Sequence, residues 1–145
     1  MIENFLQKEE EFILISADTP LISNLDMCEN IALIKEVHEN MSIYEANILA
    51  VDMLRRVDLE EISHKYINSC SDEEIFLVIF LRAVMSQEKN VILKLPSRIL
   101  GNLFHVKKLI EKMISIDNSK KIIILDLVSN ENYYEGSKCS IEKLS

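Results

Sequence analysis

The spacing of apolar positions along this chain changes several times, and each change marks an element. Short apolar runs of β character lie at Phe12 to Ile15, Val91 to Leu95 and Ile122 to Leu125, the pattern of strands buried on both faces. Ser or Asp followed three residues later by Glu occurs at Asp26/Glu29, Ser42/Glu45 and Ser71/Glu74. That spacing lets two side chains satisfy the free amides of a helix start. It predicts helices over about 27–38, 43–56 and 72–86. In the second, Ala46, Leu49, Ala50, Met53 and Leu54 share one face. The third is apolar almost all round from Ile75 to Leu81, which implies burial on most sides, although by pattern alone that run also fits a strand. A short helix near 59–66 follows the second, and a helical stretch over about 99–116 separates the last two strands. Strand, helix, strand at that spacing reads as a parallel crossover. The residues after Val128 are polar and weakly patterned, and read as an edge hairpin or a loosely held segment.

These elements make a compact α/β fold with a small parallel sheet of three or four strands. They fall into a helical subdomain at about 26–86, a strand-helix-strand core at about 90–127 and a polar tail at 129–145. The length of 145 residues suits one domain, and 48% apolar with 28% charged residues is ordinary globular composition. Two glycines and two prolines leave few positions for unusual backbone geometry.

The net charge is −8, from 24 acidic against 16 basic residues, and the basic residues are scattered. Nucleic acid and direct membrane insertion are therefore not expected. Cys28, Cys70 and Cys139 are odd in number, widely spaced and outside any C-x-x-C pair, so neither a disulfide framework nor a zinc site is expected. Acids rather than lysines lead the N-terminus, unlike a signal peptide. A cytoplasmic protein is the expectation.

The order of "PLISNLDMCENIAL", "CSDEE", "LRAV", "VILKLPS" and "KKIIILDL" resembles the ATP-binding subunit of ABC transporters, from about Phe12 to Leu127. The first stretch is similar to the segment after that family's glutamine loop, with Glu29 and Asn30 opening the helical subdomain. The others are similar to the Leu-Ser-Gly-Gly-Gln signature, the Ala-Arg-Ala-Leu that follows it, the Walker B strand and the last core strand. The resemblance leans towards the lipid-transport type. It implies the C-terminal two-thirds of such an ATPase.

The departures fall on the chemistry. Ala17 stands where the resemblance implies the glutamine that senses magnesium. Ser71 persists in the signature, but Asp72 and Glu73 replace the two glycines, placing carboxylates where a triphosphate would come. Lys94 replaces the Walker B aspartate and Leu95 the glutamate that polarises water, while Pro96 and Ser97 persist. Gly101 lies near the aspartate of the following loop and Leu127 at the switch histidine. No G-x-x-x-x-G-K-[S/T] phosphate loop occurs, and Gly101 and Gly136 lie far apart. Phosphoryl transfer rests on positioning and charge neutralisation. A truncated, degenerate cassette with no catalytic residues, no metal and no cofactor is therefore expected, neither binding nor hydrolysing ATP.

Ordinary roles suffice for the remaining candidates. Lys94 fits a strand-end lysine snorkelling to solvent. His38, His64 and His105 lie on separate elements without a carboxylate at ligand spacing, and Ser71 reads as a cap. Tyr133 and Tyr134 suit packing of the tail. What remains is a surface. The resemblance implies that Leu21, Ile22, Asn24, Leu25, Asn30, Ile31 and Ile34 receive a membrane permease or a full-length ABC ATPase, with a homodimer as a further arrangement. The alternative is a soluble regulatory or scaffold protein unconnected to transport.

Overall fold

The computed structural model describes residues 2–8, 11–116 and 119–144. The chain runs α1 (Ile2–Lys8), β1 (Phe12–Ile15), α2 (Met27–His38), α3 (Ile43–Arg56), α4 (Asp72–Val84), β2 (Asn90–Lys94), α5 (Ser97–Leu100), α6 (Val106–Ile114) and β3 (Lys121–Leu125). The sheet is wholly parallel, three-stranded and ordered β1-β2-β3. Central β2 buries Val91, Ile92 and Leu93 almost completely, as a parallel strand between two neighbours should.

The three helices expected from their caps, α2, α3 and α4, start where those caps place them. Asp26 and Glu29 form a complete capping box, as do Ser71 and Glu74, and the Ser42 side chain accepts from the Glu45 amide. The box at Ser71 settles the ambiguous apolar run as helix. α4 is the central pillar: Phe76, Leu77, Val78, Ile79, Phe80 and Leu81 are all buried. Burying side chains of that size contributes about 2 kcal/mol each against an extended chain. α4 packs against α2, α3, α5, α6 and β1, which explains an apolar circumference.

The two sheet faces differ. Ile15, Val91 and Leu93, with Ile13, Ile122 and Ile124 beside them, belong to the core around α4. Strand alternation puts Leu14, Ile92 and Ile123 on the opposite face. There α1, absent from the sequence-based reading, brings Ile2 and Phe5 near Ile123 and Leu125.

Three expectations need correction. The helix expected over 99–116 is two helices, because Gly101 adopts φ 81° and closes α5 with a bond to the Ser97 carbonyl, and Asn102 then holds the Phe104 amide. The short helix near 59–66 is a 3-10 turn over Glu60–Ile62. The tail forms no hairpin among the described residues: Val128–Tyr133 is a 3-10 helix, and Tyr134, 8% exposed, packs with Leu103, Val106 and Ile110.

Candidate functional site

In open α/β sheets, ligands gather beyond the carboxyl ends of the strands. Here those ends lead into Ser16–Pro20 after β1, Lys94–Pro96 after β2 and Asp126–Leu127 after β3. All three are tied into the protein's own contacts.

After β1, the Thr19 hydroxyl accepts from the Ser16 amide and donates to the Ser16 carbonyl, and Ser16 Oγ accepts from the Asp18 amide. Ala17 and Asp18 are the exposed members of this closed turn. Arg82 of α4 reaches across to donate to the Thr19 carbonyl at 2.6 Å and the Pro20 carbonyl at 2.9 Å. Burial pushes the guanidinium pKa down, yet arginine stays charged. It acts as a clamp on the loop.

After β2, Lys94 is half-buried and its Nζ donates to Glu3 of α1 at 2.8 Å. It is a paired cation rather than a side chain snorkelling free. The Lys94 ammonium, through its hydrogen bond and charge, holds the Glu3 carboxyl below its ordinary value. Leu95 sits in the left-handed region at φ 50°, is 8% exposed, and donates its amide to the Leu125 carbonyl. A residue with a Cβ adopts that backbone at a cost of about 1 kcal/mol, offset here by burial of the side chain.

After β3, Asp126 accepts from the Tyr134 hydroxyl at 2.6 Å, from Asn130 Nδ2 at 2.9 Å and from the Leu127 amide at 2.7 Å. Burial, the Asp126 hydrogen bond and its charge all push the Tyr134 pKa up. The carboxylate is saturated by its own segment, while Leu127 is 56% exposed.

The helix starts are equally occupied. At α2 the Met27 amide donates to the Lys65 carbonyl, the Cys28 amide to the Ser63 carbonyl and the Glu29 amide to Asp26 Oδ1. An anion would have to displace them. At α4, Glu73 meets His105 Nδ1 at 2.6 Å, both groups being exposed. His64 Nδ1 lies 3.3 Å from Asp26, and the cysteines are free thiols. Burial, then nearby acids led by Asp26, pushes the Cys28 thiol up to about 11, which makes it inert at neutral pH. No cluster of three or more metal-ligating side chains occurs among the described residues.

The seven residues expected to receive a partner divide by burial. Leu21, Asn30 and Ile31 are interior, at 5%, 0% and 0% exposure, so they support the surface from behind rather than form it. Leu25 and Ile34 are half-buried; Ile22 and Asn24 are exposed. Asn30 is a polar staple: Oδ1 accepts from the Ile22 amide, and Nδ2 donates to the carbonyls of Ile22, Leu25 and Asp26.

Exposed apolar area is found instead on α3, where Tyr44, Ile48 and Leu49 are 76%, 52% and 39% exposed. Tyr44 and Ile48 flank a groove of about 480 Å³ with Cys28, Asn47, Val51 and Arg55. Asn47 Oδ1 is buried there without a hydrogen-bond partner among the described residues. Sequence reasoning assigned α3 only an inward face; the outward signal was Tyr44, Ile48 and Val51 at helical spacing.

A parallel sheet with its helix-rich insertion between β1 and β2 defines an α/β fold. Its fold is that of part of an ABC ATPase cassette. The post-hydrolysis dimer of the ATP-binding cassette MJ0796, bound to ADP and Pi, is similar with a TM-score of 0.58 and 18% identity, covering 91% of this chain and 59% of that one. The dimeric structure of MJ0796, a bacterial ABC transporter cassette, gives 0.58 and 19%, covering 83% and 54%. This chain thus spans little more than half the length of those cassettes. No family model and no curated protein matches it. No helix among the described residues is long and apolar enough to cross a membrane.

Proposed function

We propose that this protein is an ABC-ATPase-like frame that works by contact with a transporter component, without binding or turning over ATP. What supports the reading is the strand ends. A lysine paired to Glu3 stands where the sequence resemblance implies the aspartate that holds magnesium in a cassette, and Asp126 and the Ser16–Pro20 loop are engaged by Tyr134, Asn130 and Arg82. Each replacement has become part of the structure.

The contact surface in this reading is the outward face of α3 and its groove, and the occupant is a short cytoplasmic helix of a membrane permease. The cassette-like fold suggests the permease, and Tyr44 and Ile48 offer anchors at the i, i+4 spacing that an opposing helix can straddle. Affinity purification of the native protein, with mass spectrometry, tests this. The account expects a permease that is lost with Ile48→Asp while the melting temperature stays unchanged. Recovery of no permease, or recovery indifferent to Ile48→Asp, overturns it.

A further inference from the structure

β3 is an edge strand of the sheet, with no strand paired on its outer side among the described residues, and its hydrogen-bond phase is fixed by the chain. The Lys121 amide donates to the Lys89 carbonyl, and the Leu95 amide donates to the Leu125 carbonyl. With Asn90 registered on Lys121 and Lys94 on Leu125, residues 121, 123 and 125 direct their backbone groups at β2. Parallel alternation then turns the amides and carbonyls of Ile122 and Ile124 outward, and no described residue pairs with them. A cavity of about 580 Å³ lies along this strand between β3, α1, α6 and the tail.

We propose that this edge is a dimer interface, two copies pairing their β3 strands antiparallel about a twofold axis through Ile123 so that the two sheets join into one. The phase makes the strand complementary to itself. With Ile123 on the axis, Ile122 of one copy faces Ile124 of the other, both with outward groups. Each such pair exchanges two hydrogen bonds, and Ile123 meets its own copy as a non-hydrogen-bonded pair.

Charge favours a second copy over a foreign strand. The cavity is rimmed by Lys121, Lys138 and Lys143 against Asp126, Glu131 and Glu142, an even balance on a chain of net charge −8. Antiparallel pairing brings the Lys121 end of one strand towards the Asp126 end of the other, so two acidic molecules meet where neither repels. The tail lining this cavity is tied back by the Lys143–Glu131 ion pair at 3.5 Å, with side chains 66% and 35% exposed. Such a surface pair yields readily. The interface is independent of the α3 groove.

The test uses the full chain and sedimentation velocity over a concentration series, with cysteine cross-linking in a Cys70→Ser, Cys139→Ser background. Ile123→Cys places two thiols across the axis on Cα atoms about 4.5 Å apart, within disulfide reach. Mild oxidation should convert most of it to a covalent dimer. Lys121→Cys, on the same strand but about 13 Å from its copy at 3.3 Å per residue, should stay uncross-linked. Ile122→Pro removes an outward amide and leaves the β2 ladder whole, so it should shift the chain to monomer. A monomer at every concentration with no Ile123→Cys cross-link overturns the proposal, even if a foreign protein then protects the β3 amides. Equal cross-linking of both cysteine variants, or a dimer indifferent to a folded Ile122→Pro chain, overturns it as well.

Discussion

Replacing Arg82 with methionine keeps an apolar stem inside the fold and removes the guanidinium that holds the loop after β1. The loss comprises two charge-assisted hydrogen bonds, to the Thr19 carbonyl at 2.6 Å and the Pro20 carbonyl at 2.9 Å. Bonds to charged groups contribute roughly 1.5–3 kcal/mol each. Two effects reduce the sum. Pro20 is exposed and Thr19 half-buried, so water can reach the released carbonyls, and a desolvated guanidinium no longer has to be buried. A net loss of about 2 kcal/mol remains. Urea unfolding should show it as a midpoint lower by about 1 M with an unchanged slope, taking a slope of about 2 kcal/mol per M. Arg82→Lys, able to replace one bond but not the fork, should fall between. Hydrogen exchange at the Thr19 amide, which donates to the Ser16 carbonyl at 3.1 Å, should quicken in Arg82→Met. A loss under about 0.5 kcal/mol, or unchanged exchange, would refute the clamp.

Asn30→Leu leaves the Ile22 amide and the Leu25 carbonyl without a partner, and should cost about 3 kcal/mol in chemical denaturation. Ser71→Ala breaks the capping box of α4 and should cost about 1 kcal/mol by the same measurement. Because Lys94 holds the Glu3 carboxyl below its ordinary value, this pair stabilises the fold at neutral pH and loses its effect as pH falls through the folded pKa. The melting-temperature gap between the native chain and Glu3→Gln should therefore close on acidification through and below the ordinary glutamate range; a gap that widens on acidification contradicts the pairing.

The fold was legible wherever one local signal decided it. Asp26/Glu29 and Ser71/Glu74 fixed helix starts to the residue, and the apolar runs at 12–15, 91–95 and 122–125 gave the three strands. What escaped depended on distant partners. α1 carries no Ser/Asp-to-Glu spacing that would announce it, and Lys94 finds Glu3 only once that helix lies over the sheet. The tail read as polar because its useful groups are few: Asn130 and Tyr134, four and eight residues after Asp126, fold back onto that carboxylate. Leu21, Asn30 and Ile31 looked like surface because apolar content at a helix start cannot say which side is covered. Asn30 stands out in hindsight as a polar residue amid apolar ones, and such a residue in the interior needs partners.

The central claim is that the nucleotide chemistry has been replaced by structure, and direct titration tests it. Isothermal calorimetry of the full chain with ATP and magnesium, at millimolar nucleotide, should give no saturable heat. The melting temperature should not rise, since any ligand of the native state must stabilise it. A dissociation constant below about 100 μM, equivalent to roughly 5.5 kcal/mol of binding, would contradict the account.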